Sequence, residues 1–264
     1  MAQLVISLGQ MDVVLGKPEV NLAQVQRLAA EASRQGADVL VLPELWSTGY
    51  DLDRASDYAT AVTDGIFAEM ANLAKAYGIH LVGSCLSLLG EGEYGNTAVL
   101  LDPDGELMGA YSKVHLFQLM DEHKYLTPGN CRSLVSAPWG KSGLAICYDL
   151  RFPELFRAYA LDGANIVFLP AEWPYPRLAH WQTLLRARAI ENQMVVVACN
   201  RVGTTDGTSF FGHSCIIDPW GEIVVEAGDT PALLTVAVDL AKVAEIRAQI
   251  PVFADRNPAV YVSE

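Results

Sequence analysis

Two hydrophobic rhythms alternate along the chain. Leu4-Val5-Ile6-Ser7-Leu8 and Asp38-Val39-Leu40-Val41-Leu42 are short apolar runs with the branched content of buried strands. Between them Val20, Ala23, Leu28 and Ala32 recur at helical spacing and predict a helix from about Glu19 to Gln35. A second helix is predicted near Asp64 to Tyr77, leading into a strand from Ile79 to Leu86. Two more strands, Thr97 to Leu101 and Glu106 to Tyr111, are joined by Asp102-Pro103-Asp104-Gly105, a turn in which proline fixes φ and glycine accepts positive φ. The same arrangement recurs at Asp218-Pro219-Trp220-Gly221, an echo with no longer repeat around it. Val195 to Cys199 and Leu233 to Val238 read as buried strands, and Ala241 to Ile250 as a short amphipathic helix. From Pro251 onward no pattern stands out. No Pro/Gly/Ser-rich linker interrupts the chain, so one α/β domain over residues 1–264 is expected, with mixed strand pairing.

Composition narrows the function classes. The chain has 264 residues, 51% hydrophobic and 19% charged, enough to bury a large core. Single α/β domains reach roughly 200–250 residues, so length does not demand a second domain. A net charge of −13 argues against nucleic acid and anionic membrane as partners, which reward basic patches. The first cationic residue is Lys17, and the leading apolar run breaks at Ser7 and Gly9, which reads as a first strand and not as a secretory signal. No segment approaches the roughly 18 apolar residues that span a bilayer. Five cysteines without a CxxC pair suit free thiols in a reducing compartment, so a cytoplasmic location is expected.

Candidate chemistry centres on Cys147-Tyr148-Asp149, which follows the apolar run Gly143-Leu144-Ala145-Ile146 and precedes a predicted helix opening at Leu150-Arg151-Phe152-Pro153-Glu154. A thiol on such a strand-to-helix turn is expected to meet helix-terminal N–H groups that lower its pKa and hold an oxyanion. Cys85, Cys131, Cys199 and Cys215 lie in apolar or strand-like runs and read as core fillers. Glu44, in Leu40-Val41-Leu42-Pro43-Glu44-Leu45-Trp46, stands past the carboxyl end of a strand, where open α/β sheets place ligands. Lys113, in Tyr111-Ser112-Lys113-Val114-His115, leaves another strand. Asp149 and Arg151 either touch substrate or pair with each other to fix the loop; the sequence leaves both open.

Other motifs dissolve on inspection. Gly90-Glu91-Gly92-Glu93-Tyr94-Gly95 satisfies GxGxxG but lies between two strands with no helix following, so it reads as a hairpin loop. Gly212-His213-Ser214-Cys215-Ile216 lacks the last glycine of a GxSxG elbow. The five histidines show no HxxxH or HExxH spacing, and no metal site is expected. Trp173, Trp181 and Trp220 read as packing residues.

Glu44, Lys113 and Cys147, in that order at strand exits, resemble the catalytic triad of the nitrilase (carbon–nitrogen hydrolase) superfamily. Further blocks extend the resemblance over nearly the whole chain: Glu122-His123-Lys124-Tyr125-Leu126-Thr127-Pro128-Gly129, Ala171-Glu172-Trp173-Pro174, His180-Trp181, Arg186 to Gln193, Gly212-His213-Ser214 and Asp218-Pro219-Trp220-Gly221. The resemblance implies a four-layer α-β-β-α sandwich of the nitrilase type, paired as a homodimer or higher homo-oligomer. It implies Cys147 as nucleophile and Glu44 as general base, in a dry pocket where desolvation raises its pKa. Lys113 and the backbone N–H of Tyr148 would face the oxyanion, and Glu122 would anchor Lys113 or orient substrate. No cofactor enters that cycle.

Cys147-Tyr148-Asp149-Leu150-Arg151-Phe152-Pro153-Glu154 is similar to the amidase branches, and the segments at Ala171 and His180 to bacterial ω-amidase-like proteins. The expected reaction is hydrolysis of a small amide such as 2-oxoglutaramate or 2-oxosuccinamate to the acid and ammonia. A deaminated-glutathione or broad aliphatic amidase is the alternative; a nitrilase and a non-catalytic interaction protein stand further off. The carboxylate of such a substrate needs a local cation. Arg151 and Arg177 are candidates, with Tyr50 a possible hydrogen-bond donor. Short loops after Glu44 and Phe117 suggest a tight pocket.

Overall fold

Residues 3–261, described by a computed structural model, form two six-stranded sheets packed face to face. The chain lays down β1 (Leu4–Gln10), α1 (Pro18–Arg34), β2 (Val39–Val41), α2 (Ala55–Tyr58), α3 (Gly65–Tyr77), β3 (His80–Gly90), β4 (Glu93–Leu101) and β5 (Leu107–Ser112). Then come α4 (Glu122–Tyr125), β6 (Leu134–Ala137), β7 (Gly140–Leu144), α5 (Pro153–Leu161), β8 (Ile166–Ala171), α6 (Leu178–Asn192) and β9 (Val195–Asn200). A separate hairpin, β10 (Val202–Thr205) and β11 (Thr208–Phe211), precedes β12 (Cys215–Ile217), β13 (Ile223–Glu226), β14 (Ala232–Val238) and α7 (Ala241–Gln249).

The first sheet runs β14-β1-β2-β3-β4-β5 and the second β13-β12-β9-β8-β7-β6. Each has a parallel centre, β1-β2-β3 in one and β7-β8-β9 in the other, flanked by antiparallel strands. Strand alternation divides the burial. Ile6, Leu8, Val39, Val41, Ala98 and Leu100 face the second sheet, while Val5, Leu40, Val99 and Leu101 turn outward. Against that outer face lie α1 and α3, through Val25, Ala29, Phe67 and Met70. The second sheet is covered by α5 and α6, through Phe156, Tyr159, Trp181 and Leu185. The expected α-β-β-α layering is what the chain adopts.

Several expectations shift. The apolar seam of α1 is Val25, Ala29 and Ala32, and Val20 is 48% exposed, because the helix turns the neighbouring stripe inward. The strand read as Ile79 to Leu86 continues to Gly90, and its partner starts at Glu93; the GxGxxG stretch is the tight turn between them, with Gly92 at φ +73°. Cys85, Cys199 and Cys215 are buried, but Cys131 is exposed, since it sits on the loop before β6 and not in a strand. Trp220 is 47% exposed: its N–H bonds Asp218 Oδ1 at the tip of a turn, which leaves the indole outside the core. Both Asp-Pro turns form as read, with Asp102 and Asp218 each accepting two backbone N–H bonds across the loop.

Candidate active site

Glu44, Lys113 and Cys147 leave the carboxyl ends of β2, β5 and β7, and all three are buried. The first sheet supplies Glu44 and Lys113; the second supplies Cys147. Lys113 Nζ donates to Glu44 Oε1 at 2.7 Å and to Glu122 Oε1 at 2.6 Å, with no solvent exposure on any of the three side chains. Burial pulls the Lys113 pKa down, but Glu122 and Glu44 outweigh it and hold the value above the ordinary lysine range, so this ammonium stays charged. Burial also raises the Glu122 pKa; Lys113 opposes that shift and the Glu44 charge adds to it.

Each carboxylate oxygen has defined partners. Glu44 Oε1 accepts from Lys113, from Asn96 Nδ2 at 2.8 Å and from Tyr50 OH at 3.1 Å, whereas Oε2 accepts one backbone N–H among the described residues, that of Glu172 at 2.9 Å. A lone pair therefore remains on Glu44 Oε2. Glu122 Oε1 accepts from Lys113 and from Tyr50 OH at 2.7 Å, and Oε2 from the Phe117 N–H at 2.6 Å. Tyr50, expected as a substrate contact, sits between the two carboxylates, and its hydroxyl oxygen lies closer to Glu122. Burial first, then Glu122 and Glu44, raise its pKa well above the usual phenol range, so it acts as a neutral donor.

Cys147 opens a 3₁₀ helix, Cys147–Arg151, and holds φ at +43°, a left-handed conformation that costs a side-chain-bearing residue about 1–3 kcal/mol. Asp149 clamps the turn. Its Oδ2 accepts from the Ile146 N–H and from Tyr111 OH, both at 2.8 Å, and its Oδ1 lies 2.8 Å from His115 Nδ1. The question left open by the sequence has a third answer: Asp149 fixes the loop without Arg151, and Arg151 lies in the cleft. The thiol also departs from expectation. Its pKa is raised well above the ordinary range by burial and then by the Glu44 carboxylate, with Lys113 opposing. A five-residue helix carries too little dipole to offset the loss of water and a facing negative charge.

The cleft over Cys147 is narrow, with about 230 Å³ of empty space that includes the open solvent at its mouth. Phe117, Tyr148 and Trp173 form its walls, Arg151 and Arg177 line it, and Glu172 lies beside Cys147. The Arg151 guanidinium lies 4.8 Å from the Trp173 ring centre and that of Arg177 5.4 Å from Phe117. Among the described residues, neither arginine has a carboxylate within salt-bridge range. Arg151 and Arg177 therefore share the cleft with Cys147.

Sequence reasoning missed four contributors. Asn96 fell outside the strand read as starting at Thr97, though β4 begins at Glu93 and carries it to Glu44. Glu172 was read as part of a block without a stated role, and Trp173 as a packing residue. Arg201 is fully buried beside Glu172, with NH1 3.3 Å from Glu172 Oε2, and it also donates to Asp12 and to the Val13 carbonyl. Among the described residues no cluster of His, Cys, Asp and Glu is arranged to hold a metal ion.

Comparison with known proteins gives a consistent result. The carbon-nitrogen hydrolase family profile matches residues 5–248. A 2-oxoglutaramate amidase of Bacillus subtilis is 43% identical over 97% of this chain and 98% of its own length. Omega-amidase NIT2 of Mus musculus is 35% identical over 92% of each chain. An amidase from Nesterenkonia sp. AN1, solved with the acetamide moiety of fluoroacetamide added covalently at its active-site cysteine, superimposes with a TM-score of 0.84 at 30% identity over 94% of this chain and 97% of that one.

Proposed function

Because the chain belongs to the carbon–nitrogen hydrolase family, we propose that Cys147, Glu44 and Lys113 carry out amide hydrolysis on a 2-oxo acid ω-amide. The observation that carries this reading is the convergence of one thiol, one ammonium and two carboxylates, drawn from both sheets into a single dry cluster under a small cleft.

The raised thiol pKa supports a resting Cys147 that is protonated and gives up its proton only as it attacks. Glu44 Oε2, with its free lone pair, takes that proton while Sγ bonds to the amide carbon and the carbonyl electrons move to oxygen. Lys113 and the Tyr148 N–H, which has no acceptor within its own helix turn, face the oxyanion. One such donor contributes about 10²–10³-fold in rate. Glu44 then passes the proton to nitrogen as the C–N bond breaks, and ammonia leaves a thioester. Water, deprotonated by Glu44, attacks that thioester; the C–S bond breaks and the thiol recovers its proton. Glu122 and Tyr50 are positioning residues that hold Lys113 and Glu44 in register.

The substrate class rests on three supports. The 2-oxoglutaramate amidase and omega-amidase relatives cover nearly the whole chain. Arg151 and Arg177 offer two cations for a substrate carboxylate. The cleft is narrow and walled by Phe117, Tyr148 and Trp173, which favours a small acyl group over a long peptide-like amide. The same reading treats residues 1–264 as one domain and the protein as a cytoplasmic homodimer or higher homo-oligomer, the assembly state checked by sedimentation. The chemical test is ammonia release from 2-oxoglutaramate by the wild type and by Cys147→Ala. Turnover lost in the variant is expected; turnover retained by the variant overturns the nucleophile.

A further inference from the structure

Among the described residues, two polar atoms of residues that line the cleft over Cys147 are buried and lack a protein partner: Glu172 Oε1 and Trp173 Nε1. They belong to consecutive residues just past the carboxyl end of β8, both residues line the cleft, and Glu172 and Trp173 are only 1% and 3% exposed. A buried N–H or carboxyl oxygen without a partner is costly, and active sites are where such groups persist, because a ligand completes them. The neighbouring groups cannot serve. Both oxygens of Glu122 and Oε1 of Glu44 already have partners, and the Trp173 backbone N–H is taken by Asn200 Oδ1 at 2.7 Å.

The two orphans have matching chemistry. An indole N–H only donates. Glu172 turns Oε2 toward Arg201 at 3.3 Å, which leaves Oε1 on the other side of the carboxyl group. Burial, opposed by Arg201 and reinforced by Glu44, raises the Glu172 pKa to about 8, so near neutral pH this carboxyl group carries a proton it can donate. Two donors on consecutive residues of the cleft wall suit an acceptor with two lone pairs and no hydrogen of its own.

We propose that Glu172 and Trp173 form a specificity subsite that reads the 2-oxo group of the substrate, the indole N–H and the carboxyl O–H each donating to the ketone oxygen. The inference rests on the 2-oxo acid amide reading given above. In it the amide lies over Cys147, the ketone reaches the subsite, and the carboxylate meets Arg151 and Arg177. An ω-amide without the ketone leaves both donors unpaired in a dry wall, which is the situation in which enzymes discriminate most strongly.

The test compares kcat/KM for 2-oxoglutaramate with that for glutaramate, which differs only in having CH₂ for the ketone. It is run on the wild type, Trp173→Phe, Glu172→Leu and Glu172→Gln, each checked for a native thermal melt. The wild type is expected to favour the ketone by about 10²-fold or more. Trp173→Phe and Glu172→Leu should each lower that ratio about tenfold, while Glu172→Gln, which keeps an N–H donor, retains most of it. The ratio is insensitive to general damage, since both substrates share the amide and the machinery at Cys147. A wild type that hydrolyses both substrates equally, or folded Phe and Leu variants that keep the ratio, overturns the subsite and leaves amide hydrolysis standing. A wild type that hydrolyses neither overturns the substrate class, and the subsite falls with it.

Discussion

Asp149→Ala offers the sharpest check on how the nucleophile is held. The Asp149 side chain is fully buried and serves three short bonds at 2.8 Å, from Ile146 N–H, Tyr111 OH and His115 Nδ1, with the His115 N–H at 3.3 Å as a weaker fourth. A hydrogen bond to a charged acceptor contributes about 1.5–3 kcal/mol, and a buried donor left unpaired costs about 1–3 kcal/mol. His115 is partly exposed and can turn to water, so the loss falls on Ile146 and Tyr111. The expected destabilisation is about 4 kcal/mol. Asp149→Asn keeps one carbonyl oxygen, which can still accept from Ile146 and Tyr111, and its amide can donate to a retautomerised His115; that variant should lose only about 1–2 kcal/mol. Urea unfolding followed by tryptophan fluorescence, compared at a common m-value, measures both. Because the clamp also holds Cys147 at φ +43°, kcat should fall further than stability explains. An Ala variant within about 1 kcal/mol of the wild type, or an Asn variant as damaged as Ala, refutes this donor accounting.

Three further outcomes follow from the same geometry. Cys147→Gly should be more stable than Cys147→Ala by about 1 kcal/mol, since glycine adopts positive φ without strain; equal midpoints in chemical denaturation would count against a strained nucleophile. A pH titration of ultraviolet thiolate absorbance, taken as wild type minus Cys147→Ala, should show no step at or below about 8.5, because burial and Glu44 hold the thiol protonated; Lys113→Met should move the step higher still. Glu172 has its pKa raised from 4.5 to about 8, so the folded state binds the extra proton in that interval and stability falls as pH rises through it. Glu172→Gln should flatten that slope in denaturation curves collected from pH 5 to 8, and an unchanged slope would remove Glu172 as its origin.

The three strand exits were legible because an apolar run ending in an acid, a lysine or a cysteine marks both the end of a buried strand and the edge where ligands sit. Glu44, Lys113 and Cys147 needed only that pattern and their order. Glu122 came through resemblance, since a glutamate opening a four-residue helix carries no pattern of its own. Loop side chains were harder. Tyr50 and Arg151 were both named as substrate contacts, yet one bridges carboxylates inside and the other lines the cleft, and nothing local to either distinguishes them. The acidity of Cys147 could not be read because it is set first by burial between the packed sheets and then by Glu44, which is distant in sequence and belongs to the opposite sheet. The Glu172–Arg201 pair joins the exits of two adjacent strands and exists only once β8 and β9 align, with Ala171 opposite Asn200.

The route of the chain between the layers has a consequence for how the enzyme comes into being. It builds five strands of one sheet, crosses to build six of the other, and returns with β14 to lie along all seven residues of β1. That strand, the last among the described residues, is a seam sewn after both sheets are laid down, joining residues more than two hundred positions apart. A nascent chain still tethered before Ala232 can shape the ends of β2 and β5, but its first sheet keeps an open edge along β1. Since the reactive thiol and its carboxylate stand on opposite sides of the central layer, the chain stays chemically silent until the two halves are stitched together, and hydrolysis begins as a property of the finished molecule rather than of either half.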